Sequence, residues 1–185
     1  MHMDGGFTAT LLGRWPNADG PLYHFRLSSD PYALMAQHGH VPLPPYIARP
    51  DRPSDRERYQ TVFAREPGSA AAPTAGLHFT SELFERLDAA GIATATVELV
   101  VGLDTFQPIS TENPLDHPMH TERYRVPPET SDACRNAERV VAVGTTAVRA
   151  LESAARSGES SGRTDLFIHR GFDWQVVEEI GRAHV

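Results

Sequence analysis

The stretch RVVAVGTTAVRALE, residues 139–152, combines residue types that could bind an anion. A short apolar run ends in Gly144, which permits a tight turn, and Thr145 and Thr146 then open a helical pattern. Free backbone N–H groups and the helix dipole favour a carboxylate or phosphate at such a place, and Arg149, one turn later, is within reach of the same ligand. The same residues also suit an ordinary strand-to-helix turn capped by threonine, and the sequence leaves both readings open.

Three other stretches carry chemistry-bearing side chains. RPDRPSDRERYQ, residues 49–60, sets Arg49, Arg52, Arg56 and Arg58 among Asp51, Asp55 and Glu57. Such a run is either a solvated mixed-charge face or a segment that contacts phosphates, with Tyr46 and Tyr59 available to stack on a base. In AAPTAGLHFT, residues 71–80, small residues surround His78, which is either a structural histidine or a general base. His117 and His120 are three apart, but Pro118 forbids the regular helix that would put both on one face, and no HExxH spacing occurs. No metal site is expected.

Composition narrows the classes. With 185 residues, 40% of them hydrophobic, the chain can bury a core. All seventeen basic residues are Arg, so Lys Schiff-base chemistry and a Walker-type loop are excluded within this chain. A net charge of −7 argues against broad nucleic-acid binding while leaving room for a local basic patch. No apolar run of membrane-spanning length and no leader pattern occurs. Together with the single Cys134, which cannot form an internal disulfide, this points to the cytoplasm.

The elements that must position these groups follow from pattern. Residues 7–15 and 21–27, separated by PNADG, predict a hairpin, and DPYALMAQHG predicts a short helix with an Asp-Pro start. The Pro-rich segment after it reads as a connector. SDRERYQTVFARE has Tyr59, Val62 and Phe63 at helical spacing, and TSELFERLDAAG is the clearest helix, with Thr80 as N-cap. IATATVELVV predicts a strand, SDACRNAE a helix, RVVAVG a buried strand, TTAVRALESAARSG a helix, SGESSGR a turn and TDLFIHRGF a last strand. Alternating strand and helix through residues 80–172 implies an α/β layer architecture.

Taken together, PLPPYIARPDRPSDRERYQTVFAREPGSAAAPTAGLHFT, VELVVGLDTFQPI, HPMHTERYRVP, VVAVGTTAVRALES and GRTDLFIHRGF resemble, in order and spacing, the S-adenosylmethionine:tRNA ribosyltransferase-isomerase family of queuosine biosynthesis. The resemblance covers residues 41–173. It implies a tRNA-modifying transferase and isomerase. Such an enzyme moves the ribosyl part of S-adenosylmethionine onto the aminomethyl group of a 7-deazaguanine in tRNA and isomerises it to an epoxycyclopentanediol, releasing adenine and methionine. S-adenosylmethionine is then a co-substrate, tRNA the partner, and no metal or membrane is called for; a monomer is expected.

The roles implied are catalytic for His78, the candidate base, and for Thr74 and Thr105, whose hydroxyls orient ribose oxygens. Substrate binding falls to Tyr46, Arg49, Tyr59, Gln60, Gly76, Gly144, Thr145, Thr146 and Arg149. The resemblance also implies an α/β catalytic domain over residues 41–179, with residues 1–40 the C-terminal remnant of an inserted β-barrel domain. Further segments are expected on both sides. Residues 180–185, IGRAHV, match a translated sequencing adapter and read as foreign.

Where the family has Leu-His-Val-Gly-x-Gly-Thr-Phe, this chain has Val100 and Asp104, and Arg170-Gly171-Phe172 stands for Pro-Gly-Tyr. Val100 cannot carry a proton. A divergent paralogue acting on another acceptor and a non-catalytic RNA-binding homologue are the alternatives.

Overall fold

The computed structural model describes residues 1–3, 5–15, 17–20, 22–102, 111–113, 119 and 121–181. It divides into two compact units, Met1–Val41 and Pro42–Val185.

The first unit is a hairpin followed by a helix. Strands β1 (Ala9–Trp15) and β2 (Leu22–Leu27) pair antiparallel with Leu11 opposite Phe25 and Trp15 opposite Leu22, and the register shifts between Leu11 and Gly13. Between them the Asn17 side chain accepts from the Asp19 N–H at 3.0 Å, the local bond that makes Asn a turn former. Helix α1 (Pro31–His38) starts where the sequence places it: Asp30 caps it by accepting from the Ala33 N–H at 2.8 Å, and Pro31 fills the first turn. Leu11, Trp15, Leu22, Tyr23 and Phe25 are all exposed on the hairpin.

The second unit contains, in chain order, α2 (Asp55–Arg58), a 3-10 turn (Thr74–His78), α3 (Ser81–Ala89), β3 (Glu98–Val100), β4 (Glu122–Arg125), α4 (Pro128–Asn136), β5 (Val141–Val143), α5 (Thr145–Ser157), β6 (Ser161–Thr164) and β7 (Glu179–Gly181). Strands β3, β4 and β6 form an antiparallel sheet in that order, and β5 pairs parallel with β7. Helix α5 packs against β3, β4, β5 and β6. Its apolar stripe, Val148, Ala150 and Leu151, closes a core with Leu99, Val101, Tyr124, Val126, Ala142 and Val177. Helix and sheet are thus mixed, as an α/β class requires.

Glu152 on α5 is fully buried, yet it has no cationic partner among the described residues. Its carboxylate accepts from the backbone N–H groups of Gln175, Val176 and Val177 at 3.0, 3.0 and 2.9 Å. A buried carboxylate is tolerated when such bonds replace its water, and these fix the chain leading into β7.

Several expected elements differ. The helical spacing over 54–66 yields only one turn, α2, because residues 61–63 turn aside to pack on Gly76. The strand expected over 92–101 is confined to Glu98–Val100. The last expected strand, 164–172, lies earlier, at Ser161–Thr164: Gly162 sits opposite Tyr124, whose hydroxyl would be 3.1 Å from a Cβ there, so glycine is what fits beside that ring. Strands β4 and β7 were not anticipated: residues 122–125, which read as part of a Pro- and His-rich loop, pair with β3 and β6, and Ile180 and Gly181 pair with Ala142 and Val143.

Candidate functional site

The loop from Gly68 to Phe79 is held at four points by elements far away in sequence. At its start the Ser69 hydroxyl donates to the Leu99 carbonyl and accepts from the Val101 N–H, both at 3.2 Å, and the Ala70 N–H donates to the Val101 carbonyl at 2.9 Å. These bonds occupy the edge of β3 that β4 leaves open. In the middle, the Ala72 backbone bonds to the Tyr59 hydroxyl, near Tyr46; burial, the larger influence, raises the Tyr59 phenol above its ordinary value.

The third point is Gly76, which is buried. A Cβ there would lie 2.7 Å from Phe63 Cζ and 3.1 Å from Thr61 Cγ2, so only glycine lets these segments meet. Phe63 in turn meets Phe84 of α3 edge-on, with centroids 6.0 Å apart. Thr80 caps that helix, accepting from the Leu83 N–H at 3.2 Å, which fixes where the loop ends.

The fourth point is Ala75 against Gly144, where a Cβ at 144 would stand 3.3 Å from the Ala75 methyl. Gly144 has φ 89° and ψ 155°, a conformation open essentially to glycine alone. The contact lays the 3-10 turn carrying Thr74 and His78 against the N-terminal end of α5. There the first intrahelical bond runs from the Val148 N–H to the Gly144 carbonyl at 3.3 Å. No side chain caps this end among the described residues. The backbone N–H groups of Thr145, Thr146 and Ala147 point out of the helix, as a first turn dictates, and favour negative charge.

The Ala75–Gly144 contact thus brings the segment that contains Thr74 and Gly76 against the turn that Thr145 and Thr146 follow, and His78 is exposed at the end of the 3-10 turn. The two arginines are engaged elsewhere. Arg49 grips Asp55 with both ends of its fork, at 2.7 and 2.9 Å, and the Arg52 N–H adds a third bond at 2.7 Å. The Arg49 bonds, foremost, and the Arg52 N–H hold the Asp55 carboxyl well below the usual carboxylate range. Arg149 donates to buried Glu122 at 2.6 Å and to the Thr164 carbonyl at 3.4 Å.

Tyr46 is exposed, and the Gln60 side chain accepts from the Thr61 N–H at 3.0 Å. Thr105, His117 and His120 lie outside the described residues. Ser69 and Glu122 were missed by the sequence reading, since nothing local marks a serine that bridges thirty residues or a glutamate awaiting an arginine.

Among the described residues, no group of three or more His, Cys, Asp or Glu is placed to hold a metal ion, and no helix is long and apolar enough to cross a membrane.

The chain is 54% identical over 168 residues to the S-adenosylmethionine:tRNA ribosyltransferase-isomerase of Solibacter usitatus (strain Ellin6076). The alignment covers 91% of this chain but 47% of that protein, so the chain spans about half the length of this curated relative. No solved structure matches it significantly. A family profile described as "Queuosine biosynthesis protein" matches residues 3–181, nearly the whole chain, and the chain belongs to that family.

Proposed function

We propose that this chain is part of an S-adenosylmethionine-dependent tRNA ribosyltransferase-isomerase of queuosine biosynthesis. It would act in the cytoplasm as a monomer, with S-adenosylmethionine as co-substrate and no metal. The observation that carries the reading is the 54% identity to a relative of that name across 91% of the chain. The contact of the small-residue 3-10 turn that ends in His78 with the N-terminal end of α5, through Ala75 and Gly144, supports it, because a nucleoside can approach backbone closely where side chains are small.

In this reading the reaction begins when His78 takes a proton from the carbon beside the sulfonium. Thr74, Thr105 and Thr145 orient ribose oxygens, and the α5 N-terminus and Thr146 hold an anionic group of the substrate. Tyr46, Tyr59, Gln60 and Gly76 shape the base-binding side. Arg49 and Arg149 act through the elements they fasten, Arg49 by fixing the turn at Asp55 and Arg149 by tying α5 to β4. The exposed apolar residues of the β1–β2 hairpin fit a piece of a β-barrel, the inserted domain of the family.

The test uses the full-length gene product from the same genome, with S-adenosylmethionine and a tRNA carrying the aminomethyl-deazaguanine, and quantifies free adenine. Adenine release that requires this tRNA is expected; a folded protein that releases none overturns the reading. His78→Ala should lower turnover at least about 100-fold, and near-normal turnover removes the base assignment.

One observation favours a second reading, a paralogue with a different acceptor. Val100, in β3 beside the start of the loop, offers no proton or hydrogen bond. Adenine release with another acceptor only, or tRNA binding without release, would replace the first reading by this one or by a non-catalytic binder.

A further inference from the structure

We propose that the outward face of the β3–β4–β6 sheet binds the phosphodiester backbone of RNA through Arg123 and Arg163. The proposal rests on the tRNA-modifying reading above.

Strand β4 alternates strictly, with Glu122 and Tyr124 buried and Arg123 and Arg125 exposed, so both arginines stand on the outward face. The register sets Arg123 directly opposite Arg163 on β6 and, on its other side, opposite Val100 on β3. Two like charges facing each other across a strand pair are destabilising. In a chain of net charge −7, this pair is not the product of a generally basic surface.

Nor is the pair neutralised by its neighbours. Arg125, one row away, is matched with Glu98 at 3.3 Å. Arg163 is fastened by uncharged groups, its Nε donating to Thr121 Oγ1 and its Nη2 to the Thr121 carbonyl, both at 3.0 Å. Thr121 thus orients that guanidinium without cancelling its charge. Arg123 has no acidic partner among the described residues.

The row leads to the site. Beyond Arg123 comes Val100, and a Cβ placed on Gly68 would lie 4.0 Å from Val100 Cγ1, where the loop carrying Thr74 and His78 begins. Neighbouring strands are about 4.8 Å apart, so Arg123 and Arg163 stand roughly 5 and 10 Å from Val100. Two planar, permanently charged forks at that spacing match successive anionic groups on a strand whose base enters the site. An uncharged small substrate gains nothing from them.

The experiment uses the full-length protein and the same tRNA, with Kd measured by fluorescence anisotropy over a range of salt, alongside the steady-state adenine assay. Arg123→Gln/Arg163→Gln should lower the slope of log K against log salt by about 1.5, from about 0.7–0.9 per lost phosphate contact, and weaken binding about 10- to 20-fold near 0.15 M salt. KM for tRNA should rise while kcat at saturating tRNA stays unchanged. Arg125→Gln, already paired with Glu98, should change Kd less than about twofold. The double variant should melt no lower than the wild type, because removing facing like charges relieves repulsion.

An unchanged slope and Kd overturn the proposal, as does a variant that keeps tRNA binding but loses binding to polyglutamate, which would mark an acidic protein partner instead. Salt-dependent binding is read without turnover. A wild type that binds tRNA through this patch but releases no adenine therefore sinks the catalytic reading alone. A wild type that releases adenine, with the variant unaltered in slope and KM, sinks the patch alone.

Discussion

Gly144 and Ala75 touch so closely that a Cβ on residue 144 would stand 3.3 Å from the Ala75 methyl, although the two residues come from a strand-to-helix turn and a distant loop. Gly144→Ala combines this crowding with a backbone conformation that L side chains rarely adopt. The expected cost is about 1–3 kcal/mol of stability. If the full-length protein acts as proposed, its tRNA-dependent adenine release should fall as well, because the 3-10 turn is pushed off the end of α5. Thermal melting with the adenine assay checks both, and an unchanged melting temperature would show that this contact is slack.

Gly76 makes the tighter contact, and its partner is the rigid ring of Phe63 at 2.7 Å from the added Cβ. Gly76→Ala should destabilise by about 1–3 kcal/mol through overpacking. Adding Phe63→Leu should recover part of that loss, since the ring is the obstacle. A double-mutant cycle by urea unfolding measures the coupling, and strict additivity of the two changes would contradict the contact.

Asp55 makes stability depend on acid. Its carboxyl is held below the ordinary range by the Arg49 fork and then by the Arg52 N–H, so its folded value lies under its unfolded one of about 3.9. Its contribution is complete above the unfolded value and is lost as pH falls from there toward the folded value. Asp55→Asn should therefore unfold at lower urea than the wild type at pH 7, with the gap narrowing below about pH 4. A gap independent of pH would show that the charge is not what matters.

Glu152 holds three backbone N–H groups in the core, and truncation would orphan all of them. Glu152→Ala should cost about 3 kcal/mol or more. Glu152→Gln, which keeps one acceptor oxygen, should cost less. Hydrogen exchange at Val176 and Val177 should accelerate in both variants, and protected amides there would place the stabilisation elsewhere.

What the sequence revealed and what it concealed divide along a physical line. Asp30, Thr80 and Gly158 were legible because they act on their own backbone within a turn: both caps bond where expected, and Gly158 ends α5 in the left-handed conformation. Residues 59–63 misled, since their spacing suits a helix while their partner, Gly76, lies in another segment. Strand β6 misled for the converse reason: Ser161-Gly162-Arg163-Thr164 has little strand propensity and pairs because Tyr124 needs the space over Gly162.

At the site, Gly144 and the two threonines were legible from a strand pattern meeting a helix pattern. The engagement of Arg149 with Glu122, 27 residues away, was not. Arg123 was within reach of pattern alone, because the alternation in TERYRV marks an outward face.

The Ser69 hydroxyl satisfies both the Leu99 carbonyl and the Val101 N–H on the open edge of β3. An unpaired strand edge is a template for another chain, and VELVV is apolar enough to make that template adhesive. The residues that begin the loop thus cover an edge on which another strand could otherwise pair. Freeing residues 69–70 from β3 would bare this edge, so detachment of the loop and exposure of a pairing strand would be two faces of one event.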